Sequence, residues 1–175
     1  MVFGRCLLIP LITLACAKEL PQAPLEILTL ERTVCYGWCP SYKITVTGDG
    51  RVTYEGRKFV KNVGRRGKVL DPGSLQRLAD EFRRLGYFNL RDHYASSEDG
   101  CPTVWTDNPS VITSVRVRGT TKTVEHYLGC QYEIDSRRGP YPEDLTAFEN
   151  QIDEIVGTKQ WIGTEQERAK TAARR

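Results

Sequence analysis

S-Y-K-I-T-V-T-G-D-G-R-V-T-Y-E-G, from Ser41 to Gly56, is the stretch that sets the architecture. Tyr42, Ile44 and Val46 alternate with Lys43, Thr45 and Thr47, so an extended strand here has one apolar face and one polar face. G-D-G at Gly48 to Gly50 is a hairpin signal, and Val52 and Tyr54 place the apolar face of the return strand, Arg51 to Gly56, on the same side. A hairpin apolar on one face needs a covering layer.

That layer is encoded directly downstream. Asp71 can cap a helix, Pro72 suits its first position and Gly86 can close it. Leu75, Leu78, Ala79, Phe82 and Leu85 make its apolar face. Upstream, L-E-I-L-T-L-E-R-T-V from Leu25 to Val34 reads as a first strand. Phe59, Val60 and Val63 suggest a further strand, interrupted by Gly64-Arg65-Arg66-Gly67.

The second half repeats the plan. Val111, Thr113, Val115 and Val117 alternate with Ile112, Ser114, Arg116 and Arg118, the chain turns at Gly119-Thr120, and Lys122 to Leu128 returns. Pro142 opens a helix with Leu145, Phe148, Ile152 and Ile155-Val156 on its apolar face and Gly157 at its end. The offsets agree: 69 from Gly50 to Gly119, 70 from Pro72 to Pro142, 71 from Gly86 to Gly157. The expected fold is α+β: an antiparallel sheet of about five to seven strands with two helices against it, built from two hairpin-helix units. Thr164 to Arg175 has no apolar face and reads as a mobile tail, which leaves a single α+β domain over residues 25–163.

The composition suits such a domain. The chain has 175 residues, 39% hydrophobic and 27% charged, with 25 Lys+Arg against 22 Asp+Glu and a formal charge of +3. Those values exclude a disordered chain, a collagen and a coiled coil, and give no basic excess for strong nucleic-acid binding.

Residues 1–17 are expected to be a signal peptide: Arg5, an apolar run from Cys6 to Leu14, then small residues. The run is too short to span a bilayer, which takes about 20 residues. Ala15-Cys16-Ala17 is an A-x-A cleavage site. Leu14-Ala15-Cys16 also resembles the end of a bacterial lipobox, with Thr13 where that motif carries Leu, which would make Cys16 a lipidation site and residues 18–24 a tether. Either cut leaves Cys35, Cys39, Cys101 and Cys130 for an oxidising compartment, which reads as two disulfides. The second hairpin places Cys130 just past its open end, and Cys101 lies in the loop entering that end. Cys101–Cys130 and Cys35–Cys39 are therefore the expected pairs. The longer loop contributes roughly 3–4 kcal/mol on the chain-entropy model. Zinc is the rival reading, weakened by the C-x3-C spacing, and a reducible Cys35–Cys39 ring is another.

C-Y-G-W-C-P-S-Y from Cys35 to Tyr42, the hairpin G-D-G-R-V-T-Y-E-G, K-T-V-E-H-Y from Lys122 to Tyr127 and I-D-E-I-V-G-T-K-Q-W-I-G from Ile152 to Gly163 together resemble a family of bacterial exported domains of unknown function. That family is recognised by C-[FY]-G-x-C-P-x-Y. The resemblance implies an exported or lipid-anchored α+β domain and brings no catalytic residue with it. Cys101, Cys130 and the insertion-like Gln131 to Tyr141 fall outside its motifs.

Tyr36 and Trp38, inside the short cysteine ring, are candidate partner-binding aromatics, or Trp38 folds back as a lid on the sheet. Arg65 and Arg66 belong to a basic strip with Arg57, Lys58, Lys61 and Lys68, which either docks an anionic envelope polymer or lipid or blunts an edge strand. His126 reads as a satisfied, partly buried histidine and His93 as a lone loop histidine. The loop from Ser96 to Asp107 is a weak calcium candidate. No G-x-S-x-G, H-E-x-x-H or Walker motif is present, and no cofactor is implied. The expected function is a non-enzymatic binding, inhibitor or accessory domain of the bacterial envelope, periplasmic, outer-membrane-anchored or secreted, with an envelope protein or polymer as partner. A thiol–disulfide redox protein and a metal-binding module using His93 and His126 are the alternatives.

Overall fold

The structure, a computed structural model, describes residues 24–134 and 137–172. The expected signal segment, Cys16 and residues 18–23 of the expected tether lie outside the described residues. In chain order the elements are β1 (Leu25–Arg32), β2 (Ser41–Thr47), β3 (Arg51–Lys58), β4 (Gly64–Val69), α1 (Pro72–Arg84), β5 (His93–Tyr94), β6 (Thr103–Val104), β7 (Ser110–Val117), β8 (Thr120–Tyr127), β9 (Cys130–Ile134), β10 (Arg137–Pro140), α2 (Glu143–Val156), α3 (Lys159–Ile162) and α4 (Glu165–Ala172).

Seven strands form the main sheet in the order β4-β3-β2-β1-β7-β8-β5. Strand β1 sits in the middle, antiparallel to β2 on one side and to β7 on the other. The hairpins β2–β3 and β7–β8 thus flank it, each followed later in the chain by a helix, as the equal offsets anticipate. The alternation in the strands becomes two faces. Leu28, Leu30, Ile44, Val46, Val111, Val115 and Val124 have no exposed surface, and burying each such side chain contributes about 1.5–3 kcal/mol. On the opposite face the register lines up Thr53, Thr45, Thr29, Ser114 and Thr123 in one row.

Helices α1 and α2 cover the apolar face, with Leu78 and Phe82 of the first and Leu145, Phe148 and Ile152 of the second in the same core. Their ends follow from local chemistry. The Asp71 carboxylate accepts from the Ser74 amide at 2.9 Å, which satisfies a donor at the start of α1. Gly86 and Gly157 both lie in the left-handed region, at φ 65° and 70°, where only glycine is unstrained.

Three expectations are corrected. The strand anticipated at Phe59 to Val63 lies instead at Gly64–Val69: Phe59 takes φ 53° and the chain turns, and the Lys61 and Asn62 amides bond to the Ile162 and Trp161 carbonyls. The main sheet is not wholly antiparallel, because β5 pairs with β8 in parallel. The insertion-like stretch builds a second, three-stranded sheet, β10-β9-β6. Separately, α4 forms within the stretch expected to be a tail, and its Glu167 pairs with Lys61 at 2.6 Å.

The turn after β3 depends on Gly56. A Cβ there overlaps the backbone carbonyl oxygen of Asn62 and crowds the Tyr54 ring. Gly56→Ala is expected to cost about 1–3 kcal/mol, read as a lower urea midpoint with an unchanged slope.

Candidate functional site

One end of the main sheet gathers the chemistry. The cysteines bond as Cys35–Cys39 and Cys101–Cys130, with Cα atoms 5.6 Å and 5.3 Å apart. The short ring holds its aromatics outward: Tyr36 is 89% exposed and Trp38 67%. The lid alternative for Trp38 is therefore not what forms; its ring stands edge-on to Phe59 at 5.0 Å. The Tyr36 amide donates to the Asp107 carbonyl at 3.3 Å, which ties this loop to the one carrying Trp105. Val34, Val104 and Trp105 are also exposed. These segments lie at the β1, β2 and β7 ends, so the five exposed apolar side chains fall at one end of the main sheet; the Arg138 guanidinium lies over the Trp105 ring, 4.0 Å from its centroid.

Beside this rim of the sheet lies a cleft of about 340 Å³ with Pro40, Pro109 and Leu128 in its walls and Arg32, Asn150 and Asp153 among its polar lining. The Asp153 carboxylate, on α2, accepts from the Tyr42 hydroxyl at 2.8 Å, from Arg32 Nε at 2.8 Å and from the Thr158 hydroxyl at 2.7 Å. Arg32 Nη2 also donates to Asn150 Oδ1 at 3.1 Å. Burial, and next the Asp153 charge, pushes the Tyr42 hydroxyl far above the usual phenol range, so it acts here as a fixed donor. Burial alone lowers the Arg32 pKa; the nearby Asp153, Tyr42 and Glu149 outweigh it and raise it. The guanidinium stays charged.

A second polar pair is wholly interior. His126 of β8 and Glu149 of α2 are buried, with Nδ1 3.0 Å and 3.1 Å from the two carboxyl oxygens. The expectation of a partly buried, satisfied histidine is corrected in part: the ring is fully enclosed, Nδ1 is paired, and Nε2 has no hydrogen-bond partner among the described residues. The Tyr94 ring stands edge-on to it, 6.4 Å away. Burial, opposed by the His126 hydrogen bond and charge, raises the Glu149 pKa.

The remaining candidates separate. His93 and His126 are on neighbouring strands, but His93 pairs across to Glu125 and is exposed, whereas His126 faces the core, so the two do not share a site. The Asp99 carboxylate accepts from the Ala95 and Ser96 amides and the Ser96 hydroxyl, which fixes the turn of the loop considered for calcium. Arg65 and Arg66 lie exposed on β4, at the sheet edge. Arg57 pairs with Glu31, and Arg65 Nε is 3.9 Å from Glu55. That placement favours the edge-blunting reading of the strip.

Sequence reasoning missed Arg32, Trp105, Glu149, Asn150 and Asp153. One signal was available: Glu149 falls four residues after Leu145 and three before Ile152, inside the apolar stripe of its helix. A charge there needs a buried partner.

A disulfide-bonded α+β domain with one covered sheet face and an aromatic-rimmed cleft at one sheet end is the class these features define. Residues 26–156 match the model of a domain of unknown function, DUF6438, and the chain belongs to that family. No curated protein matches the chain. The matched span contains the cysteine ring, Arg32, Tyr42, His126, Glu149 and Asp153.

Tyr42→Phe removes a hydrogen bond to a charged acceptor and is expected to cost about 1.5–3 kcal/mol in urea unfolding. Because the Glu149 pKa is raised on folding, its contribution is full below the ordinary carboxyl value and is lost as pH rises through the raised native value. The stability difference between wild type and Glu149→Gln, followed over a pH series, is therefore expected to move against wild type as pH rises through that window.

Proposed function

We propose that this chain is an exported domain of the bacterial cell envelope that works by binding, as an accessory or inhibitor protein, and engages a protein partner through the rim formed by the two tied loops. The observation that carries the reading is the concentration of Tyr36, Trp38, Trp105, Val34 and Val104 at one end. Exposed apolar groups scattered singly over a surface are ordinary, whereas several gathered at one end, rigid aromatics among them, suit an interface. The disulfide lowers the entropy cost of ordering the loop on contact. The disulfides and the signal-like leader support export, and the resemblance points the same way.

Two measurements test this reading. Intact mass of the mature chain from its native host is expected to show loss of the leader and a gain of about four hydrogens on reduction. Added acyl mass at Cys16 selects the anchored form; a full-length, reduced chain defeats the export reading. In-cell cross-linking is expected to capture a discrete envelope partner that the Tyr36→Ala/Trp38→Ala/Trp105→Ala variant loses while keeping its circular dichroism and thermal midpoint. Equal capture by both chains argues against the rim. The half-exposed Cys35–Cys39 ring keeps the redox reading second, and a reduction potential below about −300 mV removes it.

A further inference from the structure

The cleft beside the rim has a chemistry of its own, set by which hydrogen-bonding groups are left over after the internal contacts form. Asp153, its one carboxylate, already receives Tyr42, Arg32 and Thr158. Arg32 only donates, so the Asn150 oxygen is the atom that faces it, which leaves the Asn150 amino group as a further donor. The guanidinium gives Nε–H to Asp153 and one Nη2–H to Asn150. The Tyr42 hydroxyl also lies against the guanidinium as an acceptor; no other acceptor among the described residues is bonded to Nη1 or to the second N–H of Nη2. The polar end of the cleft is thus rich in donors, and the fork of Arg32 is held in place by two neighbours.

A donor-rich end suits a ligand that only accepts. The walls add Pro40, Pro109 and Leu128, rigid or apolar surfaces with no hydrogen-bond demand. The volume, about 340 Å³, is at the small end for ligand pockets, which run to about 1,000 Å³. We propose that this cleft holds a carboxylate carried on a short apolar body, with Arg32 and Asn150 as donors and the two prolines and Leu128 against the apolar part. A paired, oriented guanidinium binds a carboxylate through parallel N–H···O bonds and requires little further ordering. The carboxylate comes either from the last residue of a peptide or from a short free acid.

This inference rests on the reading of the chain as a binding domain, but it uses the cleft and not the loop aromatics. The test is calorimetric titration of the intact, oxidised protein with acetyl-Gly-Ala-Leu as the free acid, the same peptide as its C-terminal amide, and sodium hexanoate. The free-acid peptide is expected to bind saturably and the amide about tenfold or more weaker. Asn150→Asp keeps an acceptor for Arg32, and hence the fold, but turns an amino group into a charge. It is expected to weaken acid binding by about tenfold or more, with the thermal midpoint retained. Trp38→Ala is expected to leave acid binding unchanged.

Hexanoate binding as tightly as the peptide, and equally sensitive to Asn150→Asp, assigns the carboxylate to a free acid and upholds the site. Hexanoate failing where the peptide binds assigns it to a chain end. Equal binding of acid and amide, insensitivity to Asn150→Asp, or no saturable binding of either acid overturns the proposal. None of these results bears on cross-linking through the rim, so the two readings fail separately.

Discussion

The Asp153 carboxylate is the point on which the rest of this structure turns. It sits on α2 and takes donors from β1, from β2 and from Thr158 just past the helix end. A single charged acceptor thereby fixes the height and rotation of α2 over the two central strands. Charge-assisted bonds of this kind are about twice as strong as neutral ones, and in a half-buried setting each partner is costly to leave alone. The same contacts hold the Arg32 fork at the mouth of the cleft. Packing and site are one construction here.

One turn earlier on the same helix, Glu149 meets His126 in the core. The enclosed pair is costly relative to an apolar one, and its Nε2 adds a donor or acceptor with no partner among the described residues. Its effect is specificity of placement: only one rotation of α2 brings Glu149 to His126 and Asp153 to Tyr42 together. The helix presents its carboxylates four residues apart to β8 and to β1–β2, across the width of the sheet.

Much of the fold was legible in local pattern. Alternation between Tyr42 and Val46 and between Val111 and Val117 located the hairpins, and Gly50, Gly86 and Gly157 stand at the positive-φ positions their punctuation suggested. The small sheet was not legible, because β9 and β10 are short and lack clean alternation. The stretch from Phe59 to Val63 misled because its apolar residues pack in a turn held by backbone bonds to residues 161 and 162.

The sequence by itself determined β1 and the two hairpins, the two long helices, their apolar faces and, through hairpin geometry, the pairing of four cysteines. Each of these depends on residues close in the chain or on one turn. The tertiary structure alone decided which polar groups meet: Tyr42 and Asp153 are 111 positions apart, Arg32 and Asp153 121. Periodicity tells a residue which way to face and not what it will face. The convergence that forms the cleft arises only when β1, drawn from the start of the described chain, is inserted between the two hairpins and α2 closes over all three.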